Sequence, residues 1–342
     1  MIRFNNDYNR GAHPAVLEAL SYHNGESFAG YGLDSLCQAA AEEIHRHLDG
    51  VDADIHFMVG GTQVNYTVIA AALRPYQGVI SADSGHIETH ETGAVENSGH
   101  KILPLPATDG KISAVQIEQV ALDYESSDLK EHIVQPKMVY LSHPTEWGTL
   151  YSLEELTAIH TVCKQHGLYL FVDGARMAFG LAAGEVRLCD LARLTDAFYI
   201  GGTKCGALFG EAVVLTHPVF REHFRAYMKQ HGALLAKGWL LGLQFYTLFK
   251  DGLYFEIGKT ANAYALQIKQ ACIQKDIPLF VDSPTNQQFF VLEKEQAKKL
   301  AERYTFDDNG AIDANHVCVR FCTGFGTTKD EVAALLQDIE QL

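Results

Sequence analysis

The chain has 342 residues, 47% of them apolar, and a formal net charge of −15. That length accommodates about two domains at roughly 150 residues each. The acidic balance argues against nucleic acid and anionic membrane as partners, since both need basic patches, so any anionic ligand is expected to be small and captured locally.

Two further features narrow the class. Arg3, Asn5, Asn6 and Asp7 interrupt the opening at once, so no signal-peptide pattern begins the chain. The longest apolar windows, such as Tyr66 to Leu73, fall far short of the roughly 20 residues of a membrane helix, and a cytoplasmic protein is expected. Seven cysteines occur without a Cys-x-x-Cys pair, which suggests neither a disulfide framework nor a zinc ribbon. They read as reduced, small apolar residues.

In chain order, Met1 to Gly11 is polar and irregular. His13-Pro14-Ala15 starts a helix reaching about Leu20, with proline in the first turn. Ser27 to Gly32 is a glycine-rich loop, and a helix follows from about Ser35 to Leu48. Asp54 to Val59 reads as a strand, Gly60-Gly61-Thr62 as a turn, and Gln63 to Leu73 as an apolar helix. The free N–H groups at such a helix start suit a phosphate, although a plain glycine turn reads equally well. Val79 to Ala82 is a short strand before Asp83-Ser84-Gly85-His86-Ile87, and Asp109-Gly110 marks a turn. Met138 to Leu141 is a strand ending in Ser142-His143-Pro144-Thr145-Glu146. Ser152 and Glu155 form a capping box for a helix to about His166, with Gly167 as its C-cap.

Two apolar runs come next, Tyr169 to Val172 and Phe198 to Ile200, each stopping abruptly in polar residues and glycine. Ala212 to Leu215 is one more strand. Apolar runs bounded by turn signals read as buried parallel strands, and their alternation with helices predicts a mainly parallel sheet covered on both faces. From about His223 to Phe255 the pattern is helical and apolar with few breaks. Short strands then appear at 279–281, 288–292 and 317–322, with a lysine-rich helix at 294–304 and a last helix from Thr328. The expected organisation is an N-terminal arm and helix over 1–25, a large α/β domain over 26–250 and a small α+β domain over 251–342.

The candidate chemistry lies at strand ends, where open α/β sheets bind ligands. Asp173 ends one buried strand and Lys204 follows the next, 31 residues on. A carboxylate there wants a cationic partner, either a ligand's pyridinium nitrogen or simply Arg176 three residues later. Lys204 among glycines reads as a solvated lysine or as an amine kept for chemistry. His86 fits either a stacking role or a polar loop. Its spacing to His90 is zinc-like, but no His-Glu-x-x-His accompanies it and no metal is expected. Arg320, inside an apolar strand, needs an anion, either a substrate carboxylate or a structural partner. Rossmann, P-loop and hydrolase-elbow motifs are absent.

With these residues in view, the chain resembles the threonine aldolase and β-eliminating lyase group of pyridoxal phosphate enzymes, of fold type I. The likeness rests on Gly-Gly-Thr-Gln-Val-Asn (60–65), Asp-Ser-Gly-His-Ile (83–87), Val-Asp-Gly-Ala-Arg (172–176), Gly-Gly-Thr-Lys (201–204) and Val-Arg-Phe (319–321). It implies Lys204 as the Schiff-base lysine, Asp173 as the pyridine partner and His86 as the stacking histidine. It places Gly61, Thr62 and Thr203 around the cofactor and gives the substrate carboxylate to Arg176 and Arg320. The family's Arg-Ser-Asp-Thr opening reads here as Asn5-Asn6-Asp7-Tyr8, so Asn6 would replace the serine that reaches the substrate. Its Thr-His-Asn-Gly segment reads here as 143–148, which makes His143, besides His86, a candidate for the hydroxyl proton. Tyr31 and Lys237 would reach a neighbouring subunit's site in a homodimer or homotetramer. The implied activity is low-specificity cleavage of threonine or allo-threonine, a small amino-acid substrate, to glycine and an aldehyde. The alternatives are β-elimination or transamination with the same cofactor, or a non-catalytic α/β binding protein.

Overall fold

A run such as Leu170-Phe171-Val172 has no polar side to give to water, so it must be covered on both faces. In the computed structural model, which describes residues Met1–Leu342, that is how it is used. Val139, Leu141, Leu170, Val172, Phe198 and Ile200 enter one apolar layer, and Met138, Tyr140, Phe171, Ala197 and Tyr199 enter the other. This is the period-two alternation of a strand with apolar residues in both phases.

The central sheet has seven strands in the order Asp54–Met58, Glu211–Leu215, Ala197–Gly201, Tyr169–Asp173, Gln135–Ser142, Gln77–Ala82 and Ile102–Leu105. Glu211–Leu215 runs against both neighbours, and the other pairings are parallel. The capping box at Ser152 and Glu155 starts the helix Leu153–Gln165, and Gly167 takes φ +61 just beyond it. A second capping box, Ser113 with Gln116, starts Ala114–Ser126, a helix that the sequence reading leaves out.

The stretch from His223 to Phe255 departs from expectation. It comprises the helices Phe224–Gln230 and Trp239–Phe249 and the start of Leu253–Gln274. Gly232 and Gly252, at φ +70 and +74, divide it, because a left-handed backbone cannot continue a helix.

Leu253–Gln274 belongs to two cores. Near its start Gly258 lies so close to the helix Met177–Ala183 that a Cβ there would stand 2.1 Å from the Ala178 carbonyl oxygen. Near its end Ile268 and Cys272 pack with Phe290, Val319 and Leu335 under a four-stranded antiparallel sheet. That sheet runs Asp307–Ala311, His316–Cys322, Gln287–Glu293, Leu279–Val281. The polar N-terminal arm is not loose. Ile2–Arg3 pairs in parallel with Tyr304–Thr305, and the fully buried Phe4 ring packs against Tyr304 and Phe321. No helix is long and apolar enough to cross a membrane, and all seven cysteines are buried free thiols.

Candidate active site

Ser142 and Asp173 are register partners at the ends of adjacent strands, and Gly201 ends the next strand. Beyond these ends lies a cavity of about 650 Å³. Gly61, Thr62, His86, Asp173, Arg176, Thr203, Lys204 and Arg320 all line it. Residues from four large-domain strand ends and from the small domain therefore converge on one space.

Asp173 forms the floor. Its Oδ1 accepts from the Tyr199 hydroxyl at 2.5 Å and the Ala175 N–H at 2.9 Å. Its Oδ2 accepts from the Tyr140 hydroxyl at 2.6 Å and Asn65 Nδ2 at 3.1 Å. Burial, and then the Asp173 charge, push both phenols well above their ordinary range, so they remain donors. Four donors around one carboxylate are what a fixed negative charge in a buried site requires. Arg176 takes no part, so the simpler of the two partners open to Asp173 on sequence grounds is not the one used. Asn65 also donates to Glu91 Oε1 at 2.7 Å, and that oxygen lies 2.8 Å from His86 Nδ1. The His86 ring is thereby oriented by a buried carboxylate.

Lys204 stands above this floor. The neighbouring carboxylates of Asp7, Asp173 and Glu211 spend their hydrogen bonds elsewhere, and the amine's aromatic neighbour is the Tyr8 ring at 5.9 Å. Burial, reinforced by the Arg176 charge, lowers its pKa, which favours the neutral, nucleophilic amine. Glu211 flanks it: Oε1 accepts from Thr203 Oγ1 at 2.8 Å and Oε2 from the Gly202 N–H at 3.0 Å. Burial pushes that carboxyl up to about 8 against the pull of these bonds and of Lys204.

On a third side the helix Gly61–Ala72 begins with no side-chain cap, and its N-cap residue is Gly60. Its first N–H groups are free to bind an anion. Gly61 is required sterically, since a Cβ there would come within 2.9 Å of the Tyr199 hydroxyl.

The fourth side joins arm and small domain. Arg176 donates from Nε to Asp7 Oδ2 at 2.7 Å and from Nη2 to Asp7 Oδ1 at 3.1 Å, and Asn286 Nδ2 donates to Asp7 Oδ2 at 2.9 Å. Burial would raise the Asp7 pKa, but the Arg176 and Lys204 charges with these bonds outweigh it and hold the carboxyl at about 2. Arg320 donates to Gln287 Oε1 at 2.8 Å and to the Asn5 carbonyl at 3.0 Å, and it forms an ion pair with Asp307. Its Nε has no partner.

Three expected residues lie off the cavity. Ser142 faces it, so His143, the next residue along, points away. His143 is buried with both ring nitrogens unpartnered, on the side of Lys111 and Glu155, and burial lowers its pKa to about 4. It cannot reach a substrate in the cavity. Asn6 closes its own turn, accepting from the Tyr8 N–H at 3.1 Å, while Tyr8 lines the cavity and Asp7 lies behind it on Arg176. Tyr31, at φ +61 and 44% exposed, lines a separate surface hollow and rests its ring under Lys229. Conversely, Tyr140, Tyr199, Asn65, Glu146, Glu211 and Asp7 were given no role on sequence grounds, and Glu91 only a place beside His86 and His90 in zinc-like spacing. The usable signal was a polar residue on an otherwise apolar element, as with Asn65 between Val64 and Val68, both buried.

No group of three or more His, Cys, Asp or Glu side chains stands in metal-ligand geometry. An uncommitted amine, a donor-saturated carboxylate, an uncapped helix start and two guanidiniums instead suit a flat cationic ring bearing a phosphate, with an amino acid beside it.

Comparison with known proteins agrees with this geometry. Residues 15–295 match the family described as beta-eliminating lyase. The low specificity L-threonine aldolase of Pseudomonas aeruginosa is 30% identical over 351 residues, covering 98% of this chain and 96% of that protein. Its namesake from Escherichia coli K12 is 24% identical over 305 residues, covering 89% and 88%. The solved structure of Leishmania major threonine aldolase superposes with a TM-score of 0.97 at 42% identity, covering 100% of this chain and 99% of that one. Thermus thermophilus aspartate aminotransferase, 13% identical with a TM-score of 0.73 over 100% and 91% of the two chains, shares the fold.

Proposed function

The chain belongs to the beta-eliminating lyase family and has the architecture of fold type I pyridoxal phosphate enzymes, and on that premise we propose that it cleaves β-hydroxy-α-amino acids of the threonine type to glycine and an aldehyde. The observation that carries this reading is the pairing of an amine without an ion-pair partner, Lys204, with a carboxylate held by four donors, Asp173.

Pyridoxal 5′-phosphate, bound covalently through Lys204, supplies an electron sink for the pair left on Cα when a bond to Cα breaks. Asp173 holds the ring nitrogen in its protonated form. The N–H groups at Gly61 and Thr62 would hold the phosphate, and Thr203, bonded to Glu211, stands beside the lysine. His86, oriented by Glu91, covers the ring face. Arg176 and Arg320 would take the substrate carboxylate and orient the amino acid, and that orientation would select the bond to be broken. Asp7 and Asp307 hold the two guanidiniums in place meanwhile. Tyr31 and Lys237 stand on an exposed surface, where a second copy of the chain would meet them and share the site.

The test is product analysis with the purified protein. L-Threonine and L-allo-threonine should each give acetaldehyde and glycine, and the protein should absorb in the visible. Pyruvate or ammonia from serine or cysteine in place of acetaldehyde would point to elimination. A colourless protein that takes up no added pyridoxal phosphate would sink the reading.

A further inference from the structure

Aldol cleavage needs a group that takes the β-hydroxyl proton, and of the two histidines expected on sequence grounds His143 faces away from the cavity while His86 has its Nδ1 tied to Glu91. Four carboxylates line that cavity: Glu146, Asp173, Glu211 and Asp307. Asp173 accepts from four donors, both oxygens of Glu211 are bonded, and Asp307 is paired with Arg320. Glu146 differs. Its Oε1 accepts from Ser142 Oγ at 2.5 Å and from the His86 N–H at 2.9 Å. Its Oε2 takes no hydrogen bond from another residue, yet it is not sealed from the cavity as the unpartnered His143 nitrogens are. No cation pairs with it. The carboxylate is thus gripped by one oxygen and presents the other, at the end of the strand beside Asp173.

We propose that Glu146 is the catalytic residue that accepts the β-hydroxyl proton during Cα–Cβ cleavage. This rests on the aldolase reading above. The hydroxyl proton passes to Oε2, and the O–H electron pair becomes the second C–O bond of the aldehyde. The Cα–Cβ pair stays with the glycine fragment, whose Cα takes up one proton, while Glu146 returns its own to water, so the cycle is proton-neutral. Glu146 suits the task because neutral donors rather than a cation position it. Burial, the largest influence on it, also raises its pKa and so its strength as a base. His86 remains a support: its Nδ1 is tied to Glu91 and its backbone N–H aims Glu146.

The experiment uses the cofactor-loaded enzyme with Glu146→Gln and Glu146→Asp. Three quantities are read: acetaldehyde release from L-threonine, exchange of the glycine Cα hydrogen in D₂O, and the visible band with the affinity of apoprotein for pyridoxal phosphate. Glycine has no β-hydroxyl, so its exchange does not need this proton transfer. With Glu146→Gln, kcat for cleavage should fall about 100-fold or more, while exchange, band and cofactor affinity stay within about threefold. Glu146→Asp should recover part of the loss. Cleavage within about threefold of wild type would overturn the proposal. So would a collapse of all three readouts in both variants, which would make Glu146 a structural support. A wild-type enzyme that binds cofactor and exchanges glycine but releases no aldehyde would instead overturn the aldolase reading, and this step with it.

Discussion

Asp173 and Arg176 stand three residues apart in sequence and in opposite kinds of surroundings. Asp173 is held by neutral donors from three elements of the large domain, and every bond to it is in place before any ligand arrives. Arg176 is held by a charge, Asp7, carried by an arm that packs on the small domain. The floor is a preorganised cage of neutral dipoles. The proposed carboxylate-binding side consists of ion pairs, Asp7 with Arg176 and Asp307 with Arg320. On the function proposed above, the first suits a cofactor that stays and the second a substrate that comes and goes.

That contrast can be broken from either side. Lys204→Ala should remove the visible band and lower cleavage on the order of 10⁴-fold or more, measured by absorption and aldehyde release. Asp173→Asn keeps the shape of the floor but not its charge. Cleavage should drop about 10²- to 10³-fold, with cofactor still bound after dialysis. Arg320→Ala acts on the other side only. The KM for threonine should rise about 10- to 100-fold, the loss of a charge-assisted hydrogen bond, with the band unaltered. A shifted band in that variant would mean that the two sides are not separate.

The smallest effect is on stability. Asp7 lies at about 2 in the folded chain against an ordinary 3.8. A carboxyl depressed on folding adds stability that is fully present above about pH 4 and lost as pH falls through about 2. The gap is worth about 2 kcal/mol. Urea midpoints between pH 5 and 2 should show that loss in wild type, and Asp7→Asn should flatten it.

The floor was legible because its parts sit at the ends of local patterns. A strand, a glycine turn and a helix over 54–73, and two apolar runs stopping at Asp173 and before Lys204, place residues at a sheet edge from short-range rules alone. Tyr140 and Tyr199 were hidden by the same logic. In an apolar strand a tyrosine reads as core, and nothing local says that its hydroxyl ends on a carboxylate. Glu211 opens a strand, where a charge is ordinary. His143 was misplaced by one residue, since alternation gives Ser142 and His143 opposite faces. The carboxylate-binding side was illegible for a different reason. Its partners, Asp7 with Arg176 and Asn286, are paired by the packing of an arm onto a distant sheet, and no sequence period records such a pairing.

That arm also bears on how the molecule is made. Its backbone is held by residues near the other end of the chain: Phe4 N–H donates to the Thr305 carbonyl and Cys322 N–H to the Phe4 carbonyl, both at 2.7 Å. The arm therefore finds its place only after residues about 300 positions later have emerged. Pairings of such long sequence separation form late and slowly. A nascent chain can complete the donor cage around Asp173 while the arm that carries Asp7 still waits, so Arg176 gains its partner only after the small domain has formed.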